Sequence, residues 1–331
     1  MAKMNIYGCG GAGLNIAYDF LKYQENDEDA GFAKVQSFLI DTSRSNIKKD
    51  APENQIYLFE SLDGSGKKRD ANYNAISERS REMLHEFKPA DINVVIHSAS
   101  GGSGSVIGPL LVSELVGSHN TIVVIIGSSD SRIETDNTLK TLKSYEMISK
   151  KKNLPICAFY YENSEQTPRG AVNQKIIQDL VVTSMFFSGQ NTELDKADLS
   201  NFLNYPKVTN WQGGFTKLNI FTGSNAIDIP KAEVAVSCVS LINDQTSSVL
   251  NIPVEYQAVG FISLGAFEKF KNIESMKLPY HLVASTGHFL GIIDALSKKL
   301  KVHDDYRATV VHKSILTEDD HSSANNDGMI L

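Results

Sequence analysis

Cysteine is scarce in this sequence: Cys9, Cys157 and Cys238 are the only three in 331 residues, and each falls in or beside an apolar segment. Three such thiols make no disulfide framework, and the compartment that suits them is a reducing cytoplasm. Long apolar runs are missing too. None approaches the roughly eighteen residues of a membrane-spanning helix, and the opening residues enter a strand without a signal-peptide pattern. The chain is therefore expected to work in the cytoplasm, with no membrane partner. Positive charge is thin: the formal net charge is −7, and basic residues cluster only at Lys48-Lys49, Lys67-Lys68-Arg69 and Lys150-Lys151-Lys152. These short groups read as solvated loops and helix ends, and a protein that tracks nucleic-acid phosphates carries a clear basic patch. Direct nucleic-acid binding is not expected. No internal repeat and no His/Cys grouping with metal-ligand spacing occurs, so no metal site built from protein ligands is expected either.

What the chain does have is small residues at the ends of apolar runs. Ser98-Ala99-Ser100-Gly101-Gly102-Ser103-Gly104-Ser105 lies between the apolar run 92–96 and a helix-like stretch over 106–116. Strand, glycine loop and helix together aim bare backbone N–H groups and the positive end of a helix dipole at an anion. The loop lacks the lysine of G-x-x-x-x-G-K-[ST], which argues against an ordinary P-loop. An earlier loop, Gly8-Cys9-Gly10-Gly11-Ala12-Gly13-Leu14-Asn15, follows a strand over 4–7 and opens a helix reaching about residue 23. It is a literal G-x-G-x-x-G. The next strand, 35–40, ends in Asp41, a carboxylate suited to a ribose hydroxyl. One reading is thus a nicotinamide- or flavin-dependent oxidoreductase.

Further strands are expected over 55–59, 92–97, 121–126 and 156–160, alternating with helices over 75–87, 106–116 and 133–150. That alternation predicts an α/β fold with an open, doubly wound, largely parallel sheet. Ligands bind such sheets outside the carboxyl ends of the strands, where every loop named so far lies. Residues 171–188 form a helix of another kind, apolar nearly all round, with Gly189 placed to end it. It reads as a central strut about 27 Å long. Behind it, Glu193, Asp195 and Asp198 make an acidic turn. On its own that turn is equally an acidic helix start. Beyond residue 210, strands are expected over 216–222, 256–263 and 281–285 and a helix over 287–302, while 231–243 is ambiguous between helix and strand. The end, from Thr317, is acidic and polar and closes in Met329-Ile330-Leu331.

A dinucleotide fold has no need of a second, richer glycine loop or of an apolar strut with an acidic turn behind it. Together these features resemble the tubulin/FtsZ superfamily, whose signature is a glycine run broken by Thr or Ser between a strand and a helix. Ser100 stands here for one glycine and Ser103 for the usual threonine. The resemblance implies a GTPase domain over 1–170, a central helix over 171–189, a smaller α+β activation domain with the catalytic loop over 190–302, and a helix end and acidic tail over 303–331. It implies that GTP or GDP, with Mg2+, is held by Gly10, Gly11, Ala12, Gly13 and Asn15, by Asp41, by Gly64, Ser65 and Gly66 within 63–70, the loop matched to the sensor of the terminal phosphate, and by Ser100, Gly101, Gly102, Ser103, Gly104 and Ser105. Glu134 is matched to the ribose, and Asn163 and Asn173 to the base. Glu193, Asp195 and Asp198 match the catalytic turn that family members insert into the next subunit's pocket, Glu193 standing where bacterial relatives carry Asn. Chain length and the acidic tail are most similar to the bacteriophage-borne branch. That branch implies head-to-tail GTP-driven filaments that position phage DNA in the host bacterial cytoplasm, with tails tying neighbouring subunits. A nucleotide-binding protein that assembles without turnover is a third reading.

Overall fold

Alternating apolar residues in the first strand build two cores at once. In β1 (Lys3–Cys9), Met4 and Ile6 face one core, while Tyr7 and Cys9 face the other. The same split recurs in β4 (Ile92–Ser98), where Val94 and Ile96 oppose Val95, and in β5 (Asn120–Ser128), where Ile122, Val124 and Ile126 oppose Val123 and Ile125. A strand covered on both faces reads as continuously apolar because both sets of side chains leave water.

The computed structural model describes residues 2–25, 33–59, 62, 64–189, 191–223, 229–243, 252–262 and 279–312. Its remaining strands are β2 (Lys34–Asp41), β3 (Ile56–Leu58), β6 (Ile156–Asn163), β7 (Phe215–Thr222), β8 (Val234–Asn243), β9 (Tyr256–Ile262) and β10 (Tyr280–Thr286). All ten join one sheet in the order β3-β2-β1-β4-β5-β6-β7-β10-β8-β9. Pairing is parallel from β3 to β7 and between β8 and β9. Only β10, between β7 and β8, runs antiparallel to its neighbours. On one face lie α1 (Gly10–Glu25), α5 (Arg169–Phe186) and α6 (Lys196–Leu203). On the other lie α2 (Tyr73–Glu86), α3 (Gly104–Leu115), α4 (Arg132–Lys152) and the last described helix, α7 (His288–His312).

The doubly wound sheet expected from the alternation is present. The strut is α5, which buries Val172, Ile176, Leu180, Met185 and Phe186 in the first core. Its buried Asp179 accepts hydrogen bonds from Tyr161 Oη and Lys175 Nζ, both at 2.6 Å. The ambiguous stretch 231–243 holds β8, a strand buried on both faces from Ala235 to Ile242. With no exposed face it shows no alternation, so periodicity could not separate it from a buried helix. The helix expected to end at 302 continues to His312. The tail from Thr317 with its Met329-Ile330-Leu331 tip lies outside the described residues, as does the expected last residue of the strand over 256–263.

Phe186 is fully buried where α5 meets the first core. Phe186→Ala should cost about 3–5 kcal/mol, read as a lower urea midpoint with an unchanged slope.

Candidate functional site

The carboxyl ends of five parallel strands meet at one cleft of about 610 Å³, whose lining includes Cys9, Asp41, Ser98, Ser128 and Asn163, the last residues of β1, β2, β4, β5 and β6. From β1 the chain winds outward through β2 and β3, then returns to place β4 on the other side of β1. This reversal leaves a crevice between the βα turns of β1 and β4. Both glycine loops occupy it. Gly10 has φ +69, a conformation that side chains resist, and a Cβ there would stand 2.7 Å from the Gly104 backbone nitrogen. The loops therefore touch backbone to backbone, and the N-terminal ends of α1 and α3 open into one cleft.

Polar groups line the remainder. The hydroxyls of Thr42 and Ser103 lie 2.6 Å apart, and Ser103 Oγ donates to Ser65 Oγ at 3.4 Å. Asp41 is buried, which pushes its carboxyl above the ordinary range despite bonds donated by Asn46 Nδ2 (2.8 Å) and by the Thr42 backbone (2.7 Å). Each oxygen thus accepts one bond from within the protein and keeps a second lone pair, and Asp41 stands in the cleft lining. Glu134 sits in the first turn of α4, capped by Ser131. Burial works to raise its carboxyl, but the Lys67 ammonium at 2.7 Å and the Ser131 and Ser128 hydroxyls outweigh it and hold the group below its ordinary value. Asn15 Oδ1 and Asn163 Oδ1 are buried without a hydrogen-bond partner, and both residues line the cleft. Two lining side chains thus each keep one buried oxygen without a partner, a departure from the usual pairing of buried polar atoms.

Gly10, Gly11, Ala12, Asn15, Asp41, Gly64, Ser65, Gly66, Ser100, Gly101, Gly102, Ser103, Gly104, Glu134, Asn163 and Asn173 are brought together as lining residues. Gly13 and Ser105 are not. A Cβ at Gly13 would collide with the Ile96 carbonyl, so this glycine lets α1 approach β4, and Ser105 turns inward to donate to the Gly102 carbonyl at 2.9 Å. Sequence reasoning missed Lys67, Asn46, Ser43, Ser45, Ser128 and Arg169, all in the lining. The basic cluster at 67–69 was read as solvated. In the fold, Arg69 is largely buried against α4, donating to Thr141 Oγ1 (2.7 Å) and Ser144 Oγ (2.9 Å). The signal was available in the cluster's position directly after the Gly64-Ser65-Gly66 loop.

Glu193, Asp195 and Asp198 lie elsewhere. Glu193 and Asp195 line a second cavity of about 470 Å³ with Asp91, Ile92 and Asn120, residues at the amino ends of β4 and β5. A seven-residue strand spans about 20 Å, so the acidic turn stands at the opposite edge of the sheet from the glycine loops. Asp195 caps α6, accepting from Ala197 N (2.7 Å) and Asp198 N (2.9 Å), while Asp198 Oδ2 accepts from Asp195 N at 3.1 Å. This capping box satisfies the helix-start reading as well. Tyr256 donates its hydroxyl to Asp198 Oδ1 at 2.9 Å, Lys196 bridges to Asp91 at 2.9 Å, and Thr192 pairs with Phe261 through two backbone bonds. The turn is exposed yet rigidly held.

Residues 3–163 match the family model described as "Tubulin/FtsZ family, GTPase domain". A phage tubulin-like protein of Pseudomonas phage phiKZ is 34% identical over 218 residues, and the match spans 62% of this chain and 64% of that protein, less than two thirds of its length. Among solved structures, a protofilament of TubZ from bacteriophage PhiKZ superimposes with a TM-score of 0.80 at 27% identity over 93% of each chain. The phage tubulin PhuZ in its GDP form gives 0.81 at 22% identity, covering 99% of this chain and 98% of that one, a likeness of fold. The three cysteines are free and buried. Among the described residues no helix is long and apolar enough to cross a membrane, and no group of His, Cys, Asp and Glu is arranged to hold a metal.

Gly13→Ala should lower stability by more than about 2 kcal/mol, because the strain falls on backbone rather than on a mobile side chain; urea unfolding without ligand measures it. His97, immediately before the second glycine loop, is fully buried, with Nδ1 at 3.2 Å from the Ser98 carbonyl and Nε2 at 2.6 Å from Tyr145 Oη. Burial lowers it from 6.5 to about 4. The unfolded chain therefore takes the proton first, so stability is whole above pH 6.5 and falls between 6.5 and 4 by up to about 1.4 kcal/mol per pH unit. His97→Gln should flatten that slope relative to the parent in urea titrations at stepped pH.

Proposed function

We propose that this chain, whose residues 3–163 match the tubulin/FtsZ GTPase-domain model and which has the tubulin/FtsZ fold, is a GTPase of that family that hydrolyses GTP to GDP and phosphate as a head-to-tail homopolymer, each subunit's acidic turn completing the next subunit's cleft. One observation carries this reading: the nucleotide cleft and the acidic turn occupy opposite edges of the same sheet. No single molecule can bring them together, whereas translation of one copy along the strand direction can. Heterologous contacts that do not close into a ring generate filaments.

In this assignment the backbone donors of Gly10, Gly11, Gly101, Gly102 and Gly104 and the Ser103 hydroxyl hold the phosphates. Glu134 takes the ribose, and Asn163 and Asn173, both in the cleft lining, read the base. The donor set also fits Mg2+ brought in with the nucleotide, because the described residues offer hydroxyls rather than a carboxylate cage. Ser103, whose hydroxyl lies in the cleft lining, would be a ligand at hand together with phosphate oxygens and water, and the ion would supply charge neutralisation at the phosphates. Phosphoryl transfer asks for positioning and charge management above all. Asp198, its carboxylate oriented by Tyr256 and the Asp195 backbone, is assigned to water positioning, with Asp195 and Glu193 beside it. The related phage proteins, solved as a protofilament and with GDP, support self-assembly and guanine nucleotide binding.

The working division is a nucleotide domain over 1–170, a central helix over 171–189, an activation domain over 190–302 and a tail region over 303–331. The tail is assigned to contacts between neighbouring subunits. The setting would be a bacterial cytoplasm, and the role the positioning of phage DNA, without direct nucleic-acid or membrane contact.

Asp198→Ala should bind GTP and assemble like the parent, while phosphate release falls about 100-fold or more and the filaments persist. Light scattering and phosphate release followed together test this. Release at the parental rate would remove the shared site.

A further inference from the structure

Lys67 is the member of the basic cluster at 67–69 that enters the cleft lining. Its backbone has φ +63, after Gly64 at +60 and Gly66 at +52. A non-glycine residue keeps such a conformation only when its surroundings impose it, and here they do. Asn137 Nδ2 donates to the Lys67 carbonyl at 2.9 Å and also to the Ser100 carbonyl at 3.1 Å, so one α4 side chain staples this loop to the second glycine loop. Arg69 anchors the following turn to α4, and Asn72 Nδ2 holds the Gly64 carbonyl at 2.8 Å. The root of the Lys67 side chain is thus fixed beside Gly102, at the phosphate end. Its tip is elsewhere: Nζ lies 2.7 Å from Glu134 Oε1, with the lysine side chain 54% exposed and the glutamate side chain 11%.

We propose that Lys67 couples the two ends of the cleft: its ammonium neutralises Glu134 in the conformation seen here and is the cation that a terminal phosphate draws away, freeing Glu134 for the ribose. The inference rests on the GTP reading and deepens it. Both Glu134 oxygens are already engaged, Oε1 by Lys67 and Oε2 by the Ser128 hydroxyl at 3.3 Å. A ribose hydroxyl must therefore compete with an ammonium. The second glycine loop has no lysine of its own, and among the described residues the cleft lining holds two cations, Lys67 and Arg169. Arg169 starts α5, one turn before Asn173, at the base end. Lys67 alone is rooted on the glycine loop, and its four-carbon stem lets the head move without the backbone. A group shared between two sites makes their ligands cooperative, and the coupling is reciprocal.

The test measures GTP, GDP and guanosine affinities by calorimetry in the parent, Lys67→Met and Lys67→Arg proteins at low protein concentration. Lys67→Met should weaken GTP about tenfold, through loss of a charge-assisted contact. It should tighten guanosine severalfold, since the ammonium then no longer competes for Glu134. Lys67→Arg should restore the parental order. Opposite movement of GTP and guanosine is the signature, because a loosened or partly unfolded cleft weakens both. Equal weakening of all three ligands, or an unchanged GTP-to-guanosine ratio, overturns the coupling. If the parent binds no guanine nucleotide at all, the GTP reading itself fails, a result distinct from either.

Discussion

Two stretches of bare backbone touch where β1 and β4 hand over to their helices, and the cleft depends on that contact. Gly10 meets Gly104 with no side chain between, and Gly13 lets α1 lie against the β4 backbone at Ile96. Any Cβ at these points would push the first and second loops apart. Because they do meet, two helix N-termini open into one cavity, and α4 can reach both the second glycine loop and the 64–70 loop through Asn137. The hydroxyls of Thr42 and Ser103, from different loops, end 2.6 Å apart as a result. The site is a meeting of loops rather than a motif on one of them.

The same sheet explains why the acidic turn is elsewhere. Its strands carry the glycine loops on their carboxyl ends and receive the Glu193–Asp198 turn near their amino ends, so strand length separates the two halves by about 20 Å. The turn is stiffened on every side, by its capping box, by Tyr256, by the Lys196–Asp91 bridge and by the Thr192–Phe261 pairing. Such stiffness in an exposed turn suits a group presented to a partner, since little ordering entropy is left to lose on contact.

Most of this was legible in the residues, for identifiable reasons. Parallel strands buried on two faces announce themselves as apolar runs, and glycine loops at their ends leave few alternatives. The strut was visible because a helix buried on several sides lacks a polar face. Where the reading failed, chemistry was ambiguous at the local level. β8 is buried on both faces and has no period to read. Arg69 looks like a solvent-facing charge until α4 is placed over it, Lys67 shows no partner until Glu134 is brought beside it, and Gly13 resembles a phosphate ligand until its neighbour proves to be the Ile96 carbonyl.

By itself, then, the sequence determined the alternating strands and helices of the first 160 residues, the glycine loops at the strand ends and the carboxylates of the acidic turn, because these follow from periodicity, glycine spacing and side-chain type along the chain. Tertiary structure alone decided which of those residues share a cavity, that Asp41 accepts from Asn46 and Thr42, that Lys67 reaches Glu134, and that cleft and acidic turn stand at opposite ends of the strands. Each of those is a distance between residues far apart in the chain, set by strand order and helix packing rather than by any local pattern.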